Sequence, residues 1–110
     1  MRAIHISKLD GPEAIELVDV PAPEAQGKVL VQVKAAGVAF PELLQTRGLY
    51  QMQPELPFTP GSEVAGVVVE APVDSGFVAG DRVAGISMVG GFAEYVNLWP
   101  HLTFRLPSNV

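Results

Sequence analysis

The side chains best suited to chemistry lie in the middle of the chain, at Glu42, Arg47, Tyr50, Ser62 and Glu63. A tyrosine phenol can donate a hydrogen bond to a carbonyl oxygen that gains negative charge, and a carboxylate can accept hydrogen bonds from backbone or side-chain donors. The same residues are equally consistent with a solvated helix acid, a surface tyrosine and a turn serine. The residue types alone leave both interpretations open.

One of these acids stands at an unusual place. In FTPGSEVAGVVVE, residues 58–70, Glu63 follows a Pro-Gly turn by two residues and directly precedes an apolar run. A charge that enters a protein core costs several kcal/mol unless it is paired or hydrogen-bonded. We therefore expect Glu63 to have a bonding partner at the mouth of this strand.

Several kinds of site are excluded or disfavoured by the composition. The chain has no cysteine, and its two histidines, His5 and His101, have no candidate ligand near them in sequence, so a metal site is not expected. It contains no G-x-S-x-G, P-loop or G-x-G-x-x-G motif. A net charge of −5 without a Lys/Arg cluster argues against nucleic acid as a partner.

The apolar runs are too short to span a bilayer, and the first residues lack the apolar core of a signal peptide. The sequence therefore predicts a cytoplasmic protein without a membrane partner. With 48% apolar and 17% charged residues, the 110-residue chain fits one globular domain, residues 1–110. The final LPSNV resembles a linker, so we also expect this domain to be part of a longer protein.

The elements that must position the polar residues are mostly strands. Eleven glycines and ten prolines separate short segments rich in Val, Ile and Leu, which is typical of an all-β barrel or sandwich. In KVLVQVKAAG the residues Val29, Val31 and Val33 alternate with others, as in a strand with one buried face. The other predicted strands are residues 1–7, 15–20, EVAGVVVEAP, GDRVAGIS, GGFAEYVNL and LTFRLP.

One segment breaks this pattern. FPELLQTRG, residues 40–48, has a proline near its start, an acid in the first turn, Arg47 in the last turn and Gly48 as a stop. These features predict a short helix from Phe40 to Arg47. If that helix packs across the mouth of the barrel, the polar residues converge there.

Four segments in series resemble a known family: AAGVAFPELLQTRGLY, LPFTPGSEVAGVV, GDRV and GGFAEYV. They are similar to the N-terminal GroES-like domain of the medium-chain dehydrogenase/reductase superfamily, specifically the zinc-independent quinone oxidoreductases of the zeta-crystallin-like branch. The resemblance covers essentially the whole chain and implies a mainly β fold, a partly open antiparallel β-barrel with one short helix.

Two departures from the zinc-dependent relatives bear on metal binding. Where those enzymes place a zinc-binding cysteine this chain has Ala39, and where their G-H-E motif supplies a histidine it has Ser62. A methyl group and a hydroxyl cannot replace a thiolate and an imidazole. The cysteine-rich lobe that holds their structural zinc is also missing, because only AGISMV separates Val83 from Gly90. The comparison implies a protein without zinc.

The resemblance also implies NADPH-dependent reduction of quinones or α,β-unsaturated carbonyls, with Tyr50 as the catalytic donor to the acceptor oxygen. It implies that Glu63 is a structural acid that accepts hydrogen bonds. It implies a cleft for the substrate and the nicotinamide lined by Ala39, Phe40, Glu42, Tyr50, Met52 and Ser62. Many relatives carry Asn where this chain has Ala39, so one amide donor is absent, and Phe40 and Met52 are equally plausible as core residues.

The family's Rossmann domain, which carries the glycine-rich dinucleotide motif, is absent from this chain. We therefore expect the isolated domain to be inactive and the full-length enzyme, which could form a homo-oligomer, to bind NADPH mainly through the missing domain. The alternative is a stand-alone GroES-like module that binds a partner without redox activity. A co-chaperonin subunit is disfavoured because the chain lacks the long mobile loop of that family.

Overall fold

The computed structural model describes all 110 residues, which form seven strands and one α-helix. The elements in chain order are β1 (Arg2–His5), β2 (Glu16–Asp19), β3 (Val29–Ala36), α1 (Phe40–Thr46), β4 (Glu63–Glu70), β5 (Arg82–Ile86), β6 (Tyr95–Leu98) and β7 (Thr103–Arg105). Single 3-10 turns lie at Pro12–Ala14 and Pro100–Leu102. Every strand predicted from the sequence is present, and six of the seven agree within two residues at each end, while β6 begins at Tyr95, five residues after the predicted start.

The strands form two antiparallel sheets. Five of them lie in the order β6-β3-β4-β5-β7, and β1 pairs with β2 in a separate two-stranded ribbon. Single bridges from Ala3 to Ala93 and from Ile6 to Phe58 join the ribbon to the rest of the domain. The sheets do not close into a complete barrel. The predicted mainly β, partly open antiparallel architecture with one short helix is confirmed.

The core lies on one face of the five-stranded sheet, because successive strand residues point to opposite faces. The buried cluster is Val29, Val31, Val64, Val68, Val83, Val96 and Leu98. Between β3 and β4 the backbones approach so closely that a Cβ on Gly66 would overlap the carbonyl oxygen of Gln32. Only glycine fits there.

Helix α1 connects β3 to β4 and is fixed at its C-terminal end by a glycine. Gly48 has φ +70°, a left-handed conformation that other residues adopt at a cost, and its N–H donates to the carbonyl of Gln45 at 3.2 Å. The N–H of Leu49 donates to the carbonyl of Leu44 at 2.9 Å, which completes a Schellman motif. The helix therefore ends at Thr46, and the chain turns toward Tyr50.

Candidate functional site

Glu42, in the first turn of α1, is a buried acid whose carboxylate accepts several hydrogen bonds. This side chain is 4% exposed. Its Oε2 accepts a hydrogen bond from the N–H of Ala39 at 3.2 Å, and its Oε1 accepts from the N–H of Ser62 at 3.2 Å and from Ser62 Oγ at 3.1 Å. Three donors around one group match a carboxylate, which accepts hydrogen bonds and does not donate them.

These bonds join two elements that are distant in sequence. Ala39 precedes α1 and has no side-chain oxygen to cap the helix, so Glu42 reaches back to its N–H as one half of a capping box. Ser62 precedes β4, twenty residues further on. A single carboxylate therefore holds the start of the helix against the start of the strand, a region we call the α1–β4 junction (Ala39, Glu42, Ser62).

Ser62 is also held from the opposite side. Its carbonyl oxygen accepts from the N–H of Ser87 at 2.8 Å, and the Ser87 hydroxyl donates to the carbonyl of Gly61 at 2.9 Å. Ser62 is thus tied to α1 through its N–H and hydroxyl and to the end of β5 through its carbonyl. Its position is determined by both neighbours.

A small pocket opens beside the junction, with a volume of about 80 Å³. It is lined by Pro41, Glu42, Gln45, Tyr50, Met52, Ser62 and Met88. Tyr50 is half-buried, and no group of the domain forms a hydrogen bond with its phenol. We call this the Tyr50 pocket. It brings together four of the six cleft residues expected from the sequence: Glu42, Tyr50, Met52 and Ser62.

The other expected cleft residues lie elsewhere. Ala39 lines a second, apolar pocket of about 170 Å³ on the other side of α1, together with residues that include Ile4, Val38 and Phe92. Glu42 lines both pockets and separates them. Phe40 lines neither and is 67% exposed, so it is not a core residue. Arg47 is also exposed and does not line the Tyr50 pocket.

Glu63 has none of the expected hydrogen bonds in the structure of this domain. Its side chain is exposed and accepts no hydrogen bond from a backbone N–H or a neighbouring side chain. The reason is the alternation of β4, in which Val64 points into the core and Glu63 therefore points away from it. The carboxylate lies over Gly37, where a Cβ would meet it. The hydrogen-bonded acid at the mouth of the strand is Glu42.

Three lining residues were not anticipated from the sequence: Pro41, Gln45 and Met88. Gln45, 2% exposed, lies three residues after Glu42 on the same helix face, so helical periodicity could have identified it. Met88 comes from the loop after β5 and has φ +66°. No sequence signal marks that loop as a neighbour of α1.

Charged groups with displaced pKa values lie away from this site. The N–H of Val78 and the Arg105 guanidinium hold the pKa of Asp81 below its ordinary value. The N–H of Arg2 does the same for the pKa of Glu94. No three His, Cys, Asp or Glu side chains come together in a group that could hold a metal ion. The domain also has no helix long and apolar enough to cross a membrane.

Comparisons with known proteins identify the family of this chain. Residues 25–108 match the model of the alcohol dehydrogenase GroES-like domain. Over its full length the chain is 42% identical to the quinone oxidoreductase of Lama guanicoe and 41% identical to that of Homo sapiens. It covers 34% and 35% of those proteins, so it spans about a third of the length of the curated relatives it matches.

Solved structures agree with this match. A probable oxidoreductase from Mycobacterium abscessus superposes with a TM-score of 0.93 at 47% identity, over 97% of this chain and 34% of that one. The Escherichia coli quinone oxidoreductase complexed with NADPH gives 0.90 at 32% identity, over 100% and 34%. The chain belongs to the alcohol dehydrogenase GroES-like domain family, and its relatives are quinone oxidoreductases of the medium-chain dehydrogenase/reductase type.

Proposed function

We propose that this chain is the substrate-side domain of a zinc-free, NADPH-dependent oxidoreductase that reduces quinones or α,β-unsaturated carbonyls. The observation that carries the proposal is the Tyr50 pocket, where a phenol with no partner in the domain lies beside Ser62 and Met52. The quinone oxidoreductase relatives support the same activity.

The dimensions of the pocket support a role as one side of a larger site. Pockets that bind drug-sized ligands enclose roughly 300–1,000 Å³. The Tyr50 pocket encloses only about 80 Å³, enough for part of a ring but not for a quinone together with a nicotinamide. The remaining surface of the site has to come from a cofactor-binding domain, and without it the 110-residue chain is inactive.

The residues present fit the nicotinamide end of NADPH and not its phosphates. Phe40 lies outside the Tyr50 pocket, at the start of the same helix, and its exposed apolar ring suits contact with a planar ring at the edge of the site. No glycine-rich strand–turn–helix is available to bind a pyrophosphate. When bound, NADPH supplies the hydride.

The contribution of this chain to the reaction is to orient the acceptor and stabilise charge. The Tyr50 phenol donates a hydrogen bond to the oxygen on which negative charge develops, and the thioether of Met52 contacts the apolar part of the acceptor. Glu42 keeps Ser62 in place beside them. Tyr50 is the only residue in this scheme with a catalytic role.

The proposal is tested by expressing the full-length polypeptide of the reading frame and following NADPH oxidation with 1,4-benzoquinone as acceptor. We expect reduction of the quinone and a reading frame that continues past Val110 into a strand and a glycine-rich dinucleotide motif. A stop codon at this position with no neighbouring frame of that kind, together with no NADPH oxidation, would contradict the proposal and favour the alternative, a stand-alone binding module.

The absence of zinc is part of the proposal, since Ala39 and Ser62 stand where zinc-dependent relatives carry Cys and His. Elemental analysis of the purified full-length protein should find less than stoichiometric zinc, and activity should survive dialysis against a chelator. Stoichiometric zinc would contradict this. Cytoplasmic location and association into a homo-oligomer also remain proposals.

A further inference from the structure

The hydroxyl of Ser62 has a fixed polarity. A serine hydroxyl carries one hydrogen to donate and two lone pairs that accept. A carboxylate can only accept, so in the 3.1 Å contact with Glu42 the hydrogen must come from Ser62. The hydrogen is therefore committed to Glu42, and only lone pairs of Ser62 Oγ remain for a ligand.

The surroundings prevent this arrangement from reversing. The N–H of Ser62 donates to the same Glu42 oxygen at 3.2 Å, and the Ser62 carbonyl is bound by the N–H of Ser87 at 2.8 Å. The backbone of Ser62 is therefore fixed on both sides. A rotation that turned the hydroxyl hydrogen into the pocket would leave a 96%-buried carboxylate with one donor fewer, which is costly for a charged group.

Tyr50 and Ser62 consequently offer a ligand two different polar groups. Tyr50 has a phenol without a partner in the domain and can donate to a carbonyl. Ser62 can only accept. Of the two other polar side chains of the pocket, Glu42 already accepts three hydrogen bonds, and Gln45 uses one of its two amide N–H groups to donate to the carbonyl of Met52 at 3.4 Å. A bare carbonyl placed against Ser62 would meet lone pairs, whereas a hydroxyl or an N–H would form a hydrogen bond.

We infer that the Tyr50 pocket selects carbonyl acceptors that also carry a hydrogen-bond donor, such as a hydroxyl group, with the carbonyl bound by Tyr50 and the donor bound by Ser62. This rests on the proposed function and narrows its substrate class. The committed Ser62 hydroxyl, and not the size of the pocket, is the source of the selectivity.

The test uses 2-(hydroxymethyl)-1,4-benzoquinone and its methyl ether, 2-(methoxymethyl)-1,4-benzoquinone, with the full-length protein. The pair shares the quinone and differs in one O–H donor. We expect the hydroxymethyl compound to be favoured about fivefold, both in dissociation constant by calorimetry and in kcat/KM, the value of one net hydrogen bond.

Three variants assign the preference to its cause. Ser62→Ala removes the acceptor and should bring the ratio to about one. Glu42→Gln should keep the preference. The position of Oε1 receives two hydrogen bonds from Ser62 and that of Oε2 only one from Ala39, so the single carbonyl oxygen of the amide is most stable beside Ser62. Ser87→Ala is the matched control, since it removes a hydroxyl that bonds Gly61 and does not line the pocket. It should leave the ratio unchanged.

Equal binding of the two compounds to the unaltered protein would overturn the inference. A preference that persists in Ser62→Ala would also overturn it, because the extra methyl group would then be excluded by size. The experiment distinguishes failure of this inference from failure of the proposed function. If neither quinone is reduced while the hydroxymethyl compound still binds more tightly, the oxidoreductase proposal fails and the inference that Ser62 accepts a hydrogen bond from the ligand holds. If neither compound binds, both fail.

Discussion

The core of the five-stranded sheet and the α1–β4 junction are held together in different ways. In the core, seven buried apolar side chains from four strands pack against one another, and each contributes a share. At the junction one carboxylate accepts three hydrogen bonds and joins a helix to a strand. Apolar packing is distributed and non-directional, whereas this hydrogen bonding is concentrated and directional.

The difference matters for function. A directional contact fixes the position and polarity of individual atoms, so the junction can orient Ser62 toward a ligand in a way that valine packing cannot. The core provides the stability that keeps α1 and β4 in place. Substitutions in the core should therefore cause the largest loss of unfolding free energy, substitutions at the junction a smaller loss, and substitution of Tyr50 a change in turnover.

The largest effect is expected in the core. Val31 is fully buried, and Val31→Ala should lower the free energy of unfolding by about 2.5 kcal/mol, since it removes two methyl groups and leaves a cavity. Urea denaturation measures this change. Val73→Ala, at a fully exposed valine, is the matched control and should change stability by less than about 0.5 kcal/mol. Equal losses for the two variants would mean that the valine cluster is not the core.

A smaller loss is expected at the junction. Glu42→Gln keeps the bonds to Ser62 but turns an amide N–H₂ toward the N–H of Ala39, so it should cost about 1.5 kcal/mol of unfolding free energy. Glu63→Gln makes the same chemical change at an exposed side chain and should cost less than about 0.5 kcal/mol. A greater loss for Glu63→Gln than for Glu42→Gln would reverse the assignment of the buried acid.

Tyr50→Phe should affect function more than folding. In the full-length enzyme we expect roughly a tenfold loss of kcat, because one donor to the acceptor oxygen is removed. The free energy of unfolding should change by less than about 0.5 kcal/mol, since the phenol has no partner in the domain. If Tyr50→Phe unfolds the domain while the folded enzyme keeps its rate, the phenol is structural and the catalytic assignment is wrong.

The smallest effect concerns acid stability at the edge of the sheet. The N–H of Val78 and the Arg105 guanidinium lower the pKa of Asp81 below 3.8, so the folded state favours the ionised form. The unfolding free energy that ionised Asp81 contributes is fully present above its unfolded-state pKa. It is lost as the pH falls through the lower folded-state pKa. The stability difference between the unaltered protein and Asp81→Asn should therefore shrink below about pH 3.8.

Asp74→Asn is the control for this measurement, because Asp74 is exposed and forms no ion pair. A difference between Asp81→Asn and the unaltered protein that stays constant from neutral pH to pH 2 would show that the contacts of Asp81 do not favour its ionised form.

Local patterns in the sequence are sufficient to predict the secondary structure and much of the pocket. Alternating valines from Val29 to Val33 define a strand with one buried face, and the proline and Gly48 that flank an acid and an apolar pair define a short helix. These signals are local, since they depend on residues a few positions apart. Motif resemblance added Tyr50, Met52 and Ser62, which the structure brings together with Glu42.

Which acid is buried, and which residues face one another, depends on how the helix and strands pack. Glu42 and Glu63 lie in similar local contexts, each near a turn and an apolar run, and the sequence favoured Glu63. The alternation of β4, with Val64 in the core, points Glu63 outward, while packing of α1 against the start of β4 buries Glu42 and brings Met88 to the pocket. Burial and contact between distant segments arise from the way helices and strands pack, and no local pattern encodes that packing.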